Sequence, residues 1–273
     1  RRAKPDRVAI CWEGPGGSQK RREKNKNYKL GRKAPRLNRE YTFATPEEER
    51  ENKYSQLVRL TEYLDNLPIL QLSIENVEAD DIIAWLCHSN EYSDWQKLII
   101  SNDKDFIQLC DDKTVLVRPG KNEEVLNKNN VLEQYNIHPR NFAWARAITG
   151  DKSDNLEGVK GLGLATVAKR FSFLSENQDY TLKDIMTHAK NNNSKIKAYQ
   201  NVLDSEEIIA SNYEIMQLYT STISSQGANK LKYAIKNDGV DLNRSQIRKM
   251  LLKDGIGTLN IDDLMLMLSS HKK

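Results

Sequence analysis

Lys97-Leu98-Ile99-Ile100-Ser101 is a short, uninterrupted apolar run that stops at Asn102-Asp103-Lys104-Asp105. A run this short, bounded by turn residues, reads as a strand buried on both faces, the environment of a parallel sheet. Similar runs recur along the first half of the chain. Arg7–Trp12 reads as a strand ended by Glu13-Gly14-Pro15-Gly16-Gly17, and 68–72 and 114–117 read as two more. Helical patterns separate them: Pro46 to about Leu67, with acids in its first turn, and a helix from Glu78 carrying Ile82, Ile83 and Leu86. This alternation predicts an α/β fold with a mostly parallel central sheet and flanking helices. Strand signals fade after residue 127, so the chain is expected to divide into an α/β part, 1–127, and a helical part, 128–273, with Lys190–Lys195 an exposed loop.

Composition narrows the class. The mean hydropathy of −0.72 describes a polar chain, and no apolar run approaches the roughly 20 residues of a membrane-spanning helix. Cys11, Cys87 and Cys110 show no CxxC spacing and are expected to be reduced thiols in a cytoplasmic protein. The net charge of +4 conceals an asymmetry: residues 1–40 hold fourteen Lys or Arg against four acids, so the remainder is net negative. A basic block on an acidic body suits either a polyanion partner or a solvated arm.

Carboxylates collect where elements end or begin. Glu78, Asp80 and Asp81 open a helix, and Asp103 and Asp105 follow the 97–101 strand. Asp151 and Asp154, three apart in Gly150-Asp151-Lys152-Ser153-Asp154-Asn155, could converge on one helical turn, and Glu13 ends the first strand. Each cluster alone suits an ordinary cap or turn. Together they offer oxygen-only ligands at the edge where open α/β sheets bind ligands. Such a set suits Mg²⁺ or Mn²⁺ and lacks the His and Cys spacing of a zinc site. A pair of such ions can activate water and stabilise the leaving oxygen of a phosphodiester.

Two further features point to nucleic acid. Gly158-Val159-Lys160-Gly161-Leu162-Gly163 lies between apolar helical stretches at 142–148 and 166–171 and reads as a helix–hairpin–helix over 141–173. Its backbone N–H groups, with the N-terminus of the second helix, can grip phosphates without reading bases. In the basic block, Lys29 and Arg32 would share a helical face and clamp a phosphate, and Tyr28 could stack on an unpaired base.

These pieces, in this order, resemble the 5′ nuclease superfamily: flap endonucleases, the 5′–3′ exonuclease domain of bacterial DNA polymerase I, and bacteriophage 5′ nucleases, the phage type most of all. The resemblance runs from about Arg7 to Phe173 and is carried by Tyr28-Lys29-x-x-Arg32, Glu78-Ala79-Asp80-Asp81, Ser101–Phe106, Gly150–Asn155 and the glycine hairpin. It implies a divalent-metal-dependent 5′ nuclease that cuts 5′ flaps, DNA 5′ ends or RNA primers in replication or repair. By that resemblance Glu78, Asp80, Asp81, Asp103 and Asp105 surround one metal ion, while Asp151 and Asp154 hold a second. Residues 17–52 would form a helical arch with Lys29 and Arg32 at its base. The expected DNA contacts are Arg21, Arg22, Tyr28, Gly158, Lys160, Gly161, Gly163, Thr166 and Lys169, with K⁺ at the hairpin. The implied setting is a bacterial or phage-infected cytoplasm, as a monomer, on branched DNA or an RNA–DNA hybrid beside replication proteins.

Two departures qualify the expectation. Glu13 stands where the family usually has aspartate. The family also begins with a strand ending in a metal-ligating aspartate, and the expectation is that this strand is absent from the sequence given. A catalytically impaired DNA-binding remnant therefore stands as the alternative to an active enzyme. A PIN-type ribonuclease shares the acidic core but lacks arch and hairpin.

Overall fold

A computed structural model describes residues 5–31, 45–193, 196–220, 222–237, 242–257, 260, 262–263 and 266. The described residues fall into two compact units, each drawn from separated stretches: 1–12, 33–73 and 225–273 form one, 13–32 and 74–224 the other. The boundary expected near 127 falls inside the second unit.

In the first unit, β1 (Ala9–Cys11) pairs in parallel with β2 (Leu70–Leu72). Trp12 extends the contact by donating its indole N–H to Gln71 at 2.9 Å. Helix α2 (Pro46–Leu64) starts where the sequence predicts, because Thr45 and Glu48 form a reciprocal capping box and Pro46 occupies the first turn. It stops three residues short of the expected Leu67. Two C-terminal helices complete the unit, α10 (Ser225–Lys236) and α11 (Arg244–Lys253). Ile247 and Leu251 of α11 pack with Tyr63, Leu67 and Leu242. Arg59 and Tyr63 of α2 meet Asp254, at 2.7 Å in each case.

The second unit holds a three-stranded sheet: β3 (Lys97–Ile100) runs parallel to β4 (Thr114–Arg118), which pairs antiparallel with β5 (Glu124–Leu126). Sequence reading overlooks β5, because three residues ending in one buried leucine give no periodicity to detect. Among the described residues the strands thus form two small sheets. The parallel pairs are as expected, and β5 adds an antiparallel edge. One face of the three-stranded sheet is sealed by Ile99, Leu116 and Leu126. On the other, Leu98, Ile100 and Val125 remain 45%, 68% and 52% exposed.

Around this sheet stand α1 (Gln19–Lys24), α3 (Ala79–His88), α4 (Lys128–Tyr135), α5 (Pro139–Thr149), α6 (Leu164–Arg170), α7 (Leu182–Asn192), α8 (Lys197–Leu203) and α9 (Glu206–Met216). Helix α7 runs on through Lys190–Asn192, where a loop was expected, because Thr181 and Asp184 cap its start and Ile185, Met186 and Ala189 bury one face. Helix α5 is the unit's axis, with every residue from Asn141 to Ile148 buried. It packs on α9, where Trp144 stacks on Tyr213 with centroids 3.6 Å apart. Asn212 of α9 donates to the carbonyls of Ala147 and Glu157, fixing α5 against the segment that follows it. No described helix is long and apolar enough to cross a membrane.

Candidate active site

The site lies wholly within the second unit and is assembled by three local devices. The first is α3, whose N-cap is Glu78 and whose first turn carries Asp80 and Asp81. Acids are favoured there by the helix dipole. The second is the turn after β3. Asp103 caps a 3₁₀ segment, Lys104–Leu109, by accepting from the Asp105 amide at 2.9 Å.

The third device is the exit from α5. Gly150 caps that helix with φ +69°, and the chain then closes a tight loop through paired backbone bonds between Asp151 and Leu156 at 2.9 and 2.8 Å. Asp151 and Asp154 therefore share this loop rather than the helical turn expected for them. Glycine is required at both ends of the crossing. A Cβ on Gly150 would meet Gly158 N at 2.4 Å, and one on Gly158 would meet Thr149 O at 2.0 Å.

The basic segment docks onto the same loop. Lys29 N donates to Asp154 O at 2.9 Å, and Asn155 donates to Asn27 O at 3.1 Å. Lys29 sits in a turn with φ +54°, so the helical face expected to pair it with Arg32 does not form at Lys29. Arg32 and residues 33–44 of the expected arch lie outside the described residues. Tyr28 is 3% exposed, packed among Leu156, Ile215 and Met216. Its hydroxyl donates to Glu78 at 3.1 Å, so in this conformation it supports a carboxylate rather than presenting a stacking surface. Arg21 is likewise buried instead of facing a phosphate. It bonds Glu78, reaches Asp80 at 2.7 Å and lies 3.4 Å from Asp81. Arg22 is exposed.

The predicted ligands separate into two layers. A small open cleft is lined by Asp80, Asp103, Asp105 and Asp154, with Arg21, Tyr28 and Lys29 beside them. Behind it, Glu78 has both oxygens engaged, one by Lys29 at 2.9 Å and the other by Arg21 and Tyr28. Asp151 is similarly committed, to Arg146 on one oxygen and to the Ser153 amide and hydroxyl, at 2.7 and 2.6 Å, on the other. Glu13 is exposed and is not part of the cleft lining.

Arg146 is the site residue that sequence reading missed. Projecting from α5, it donates through Nε to Asp105 at 2.9 Å and through Nη2 to Asp151, tying the turn after β3 to the loop after α5. One signal was available: a single arginine inside the apolar run Phe142–Ile148, five residues before Asp151. A cation in such a setting needs an anionic partner nearby.

Electrostatics follow burial. Burial is the main cause that pushes Asp105 up to about 6, against the pull of Arg146. Asp81 also rises to about 6, chiefly by burial, with Arg21 opposing. Burial acts to raise Asp151 too, but Ser153 and Arg146 outweigh it and its carboxyl lies below the ordinary range. Burial acts to lower Arg21, yet the three surrounding carboxylates raise it overall.

Among the described residues, no three His, Cys, Asp or Glu side chains are drawn together as a ready-formed ion cage. The donor set nevertheless fits divalent cations. Among the described residues, seven carboxylates, Glu78, Asp80, Asp81, Asp103, Asp105, Asp151 and Asp154, gather around three cations, Arg21, Lys29 and Arg146, an acidic excess that divalent ions would offset. Oxygen-only donors of this kind suit hard divalent cations.

The glycine hairpin follows directly. Lys160, Gly161, Gly163 and Lys169 are exposed, Gly158 and Thr166 half-buried, and Val159 and Leu162 buried beneath them. Asn201 of α8 holds the tip by donating to Lys160 O at 2.9 Å.

Residues 1–136 match the family model described as 5′–3′ exonuclease, N-terminal resolvase-like domain. This N-terminal part of the chain belongs to the 5′ nuclease superfamily. Among sequence relatives, the chain is 39% identical over 122 residues to the 5′–3′ exonuclease of Buchnera aphidicola, covering 44% of this chain and 42% of that protein. It is 33% identical over 171 residues to DNA polymerase I of Streptococcus pneumoniae, covering 62% of this chain and 18% of the polymerase. The chain thus spans less than half the length of these curated relatives. In fold, this chain resembles the bacteriophage T5 5′-exonuclease with zinc bound, at TM-score 0.65 and 22% identity over 85% of this chain and 84% of that one. A T5 flap endonuclease in a pseudo-enzyme–product complex with DNA and metal ions gives TM-score 0.60 at 22% identity, over 89% and 84% of the two chains.

Proposed function

We propose that this 5′ nuclease hydrolyses phosphodiester bonds at 5′ flaps, DNA 5′ ends or RNA primers, using two Mg²⁺ ions, with Mn²⁺ as a substitute. The observation that carries the reading is the cleft in which Asp80, Asp103, Asp105 and Asp154 meet Lys29 and Arg21 beside a glycine hairpin. Family membership and the T5 proteins of like fold, bound to zinc in one case and to DNA and metal ions in another, support it.

In this reading Asp80, Asp103, Asp105 and Asp154 hold the ions, whose chemistry is to activate water and to stabilise the leaving oxygen. Glu78 and Asp151 orient that set. Among the described residues Lys29 commits one ammonium proton, to Glu78, so further donors can hold a phosphate oxygen at the cleft. The hairpin binds duplex backbone without base contacts, and K⁺ is the cation we assign to its carbonyls.

The deciding experiment is cleavage of a 5′-flap DNA in Mg²⁺, with binding measured in Ca²⁺. Cleavage releasing the 5′ strand supports the reading. Tight binding without cleavage in either Mg²⁺ or Mn²⁺ overturns it in favour of a catalytically impaired DNA-binding protein. A second measurement tests the hairpin: Lys160→Ala is expected to weaken duplex binding and to reduce the slope of log K against log salt by about 0.9, the value of one phosphate contact. An unchanged slope would remove Lys160 from the interface.

A further inference from the structure

Helices α10 and α11 carry Lys230, Lys232, Lys236, Arg244, Arg248, Lys249 and Lys253 and no acidic residue. They lie in the part of the chain that is net negative beyond residue 40, so the charge is concentrated rather than spread.

Helix α10 sorts its side chains sharply. Gly227, Leu231 and Ile235 are buried, at helical spacing on one face. Asn229, Lys232, Tyr233 and Lys236 follow an i, i+3, i+4, i+7 pattern on the opposite face, and all four are exposed. Tyr233 is 72% exposed, an aromatic ring held in water between two lysines. Lys232 and Lys236 have no ion-pair partner among the described residues.

We propose that this face of α10 is a binding surface for a single strand of nucleic acid, separate from the carboxylate cleft and from the glycine hairpin. Lys232 and Lys236 lie one helical turn apart and can neutralise neighbouring phosphates. Tyr233, between them, offers a flat surface to an unpaired base. Lysines around an exposed aromatic ring are the combination that holds single strands without reading sequence. A membrane surface is disfavoured because α10 turns its apolar side chains into its own unit, leaving no apolar face to enter lipid.

The test is binding of the full chain to a fluorescent poly-dT single strand and to a blunt duplex, without divalent ions so that no cleavage occurs. This readout is independent of nuclease activity, so the proposal can fail while the enzymatic reading stands, and the reverse. Tyr233→Ala should weaken single-strand binding roughly tenfold, the loss of one base-stacking contact. It should leave duplex binding unchanged. The double variant Lys232→Glu/Lys236→Glu should flatten the single-strand salt slope by about 1.4, the release of two counterion sites at 0.7 each. The double variant Lys183→Glu/Lys190→Glu on α7 serves as a charge-matched control, and matching thermal unfolding curves establish that each variant folds. Unchanged single-strand affinity and slope would overturn the proposal. So would equal loss on duplex and single strand for Tyr233→Ala, or normal DNA binding with lost binding to anionic vesicles.

Discussion

Asp103→Ala is expected to lower turnover by about three orders of magnitude, near 4 kcal/mol of transition-state stabilisation, while leaving DNA affinity within about twofold. Asp103 faces the cleft, and its internal duty is a single bond from the Asp105 amide at 2.9 Å. Losing that cap costs the fold about 1 kcal/mol, too little to unfold the unit. Losing an anionic donor from a set built around cations removes an interaction that matters most as charge develops on the phosphate. Single-turnover cleavage in Mg²⁺ and anisotropy in Ca²⁺ separate the two effects. Residual activity above a tenth of the parent, or parallel loss of binding, would take Asp103 out of the ligand set.

The second large effect is on stability. Arg146→Met removes the buried cation shared by Asp105 and Asp151, whose side chains are 14% and 20% exposed. Breaking a buried pair from one side leaves an uncompensated charge and costs about 3–5 kcal/mol. Here two carboxylates lose their partner at once. Part of the cost should return when Mg²⁺ is added, because an ion can occupy the place of the lost charge. Arg146→Lys keeps the charge but not the forked geometry and should fall between. Urea unfolding with and without Mg²⁺ is the measurement. A parent-like midpoint for Arg146→Met, or a loss equally large with and without Mg²⁺, would show that Arg146 does not balance these carboxylates.

The sequence makes the parallel strands and the helix starts legible, because short apolar runs and helix caps leave local signatures. Thr45-Pro46 with Glu48 announces α2, and the 97–101 run announces β3. Long-range commitments are not written locally. Glu78 reads as a ligand until the fold brings Arg21 from 57 positions away to its carboxylate. Tyr28 reads as a stacking residue until Leu156, Ile215 and Met216 close over it. Asp151 and Asp154 read as one turn of helix because their spacing fits. The close approach of Gly150 to Gly158, which forces the loop, is a tertiary fact. Arg146 was hidden for the same reason: its meaning lies in two partners contributed by different segments.

The uncovered face of the three-stranded sheet has a practical consequence at the bench. Leu98 and Ile100 on β3 and Val125 on β5 form an oily ledge along one face, and among the described residues β3 is an edge strand with β4 as its neighbour in that sheet. Edge strands with bare apolar surface are templates for pairing between molecules. Concentrated solutions of this chain should therefore light up a hydrophobic dye in the native state and drift toward self-association. Ile100→Thr, which keeps the β-branched shape and dulls the ledge, should lower both signals. Dye fluorescence and light scattering at matched concentration read this out, and identical traces for parent and variant would show that the ledge is covered in solution.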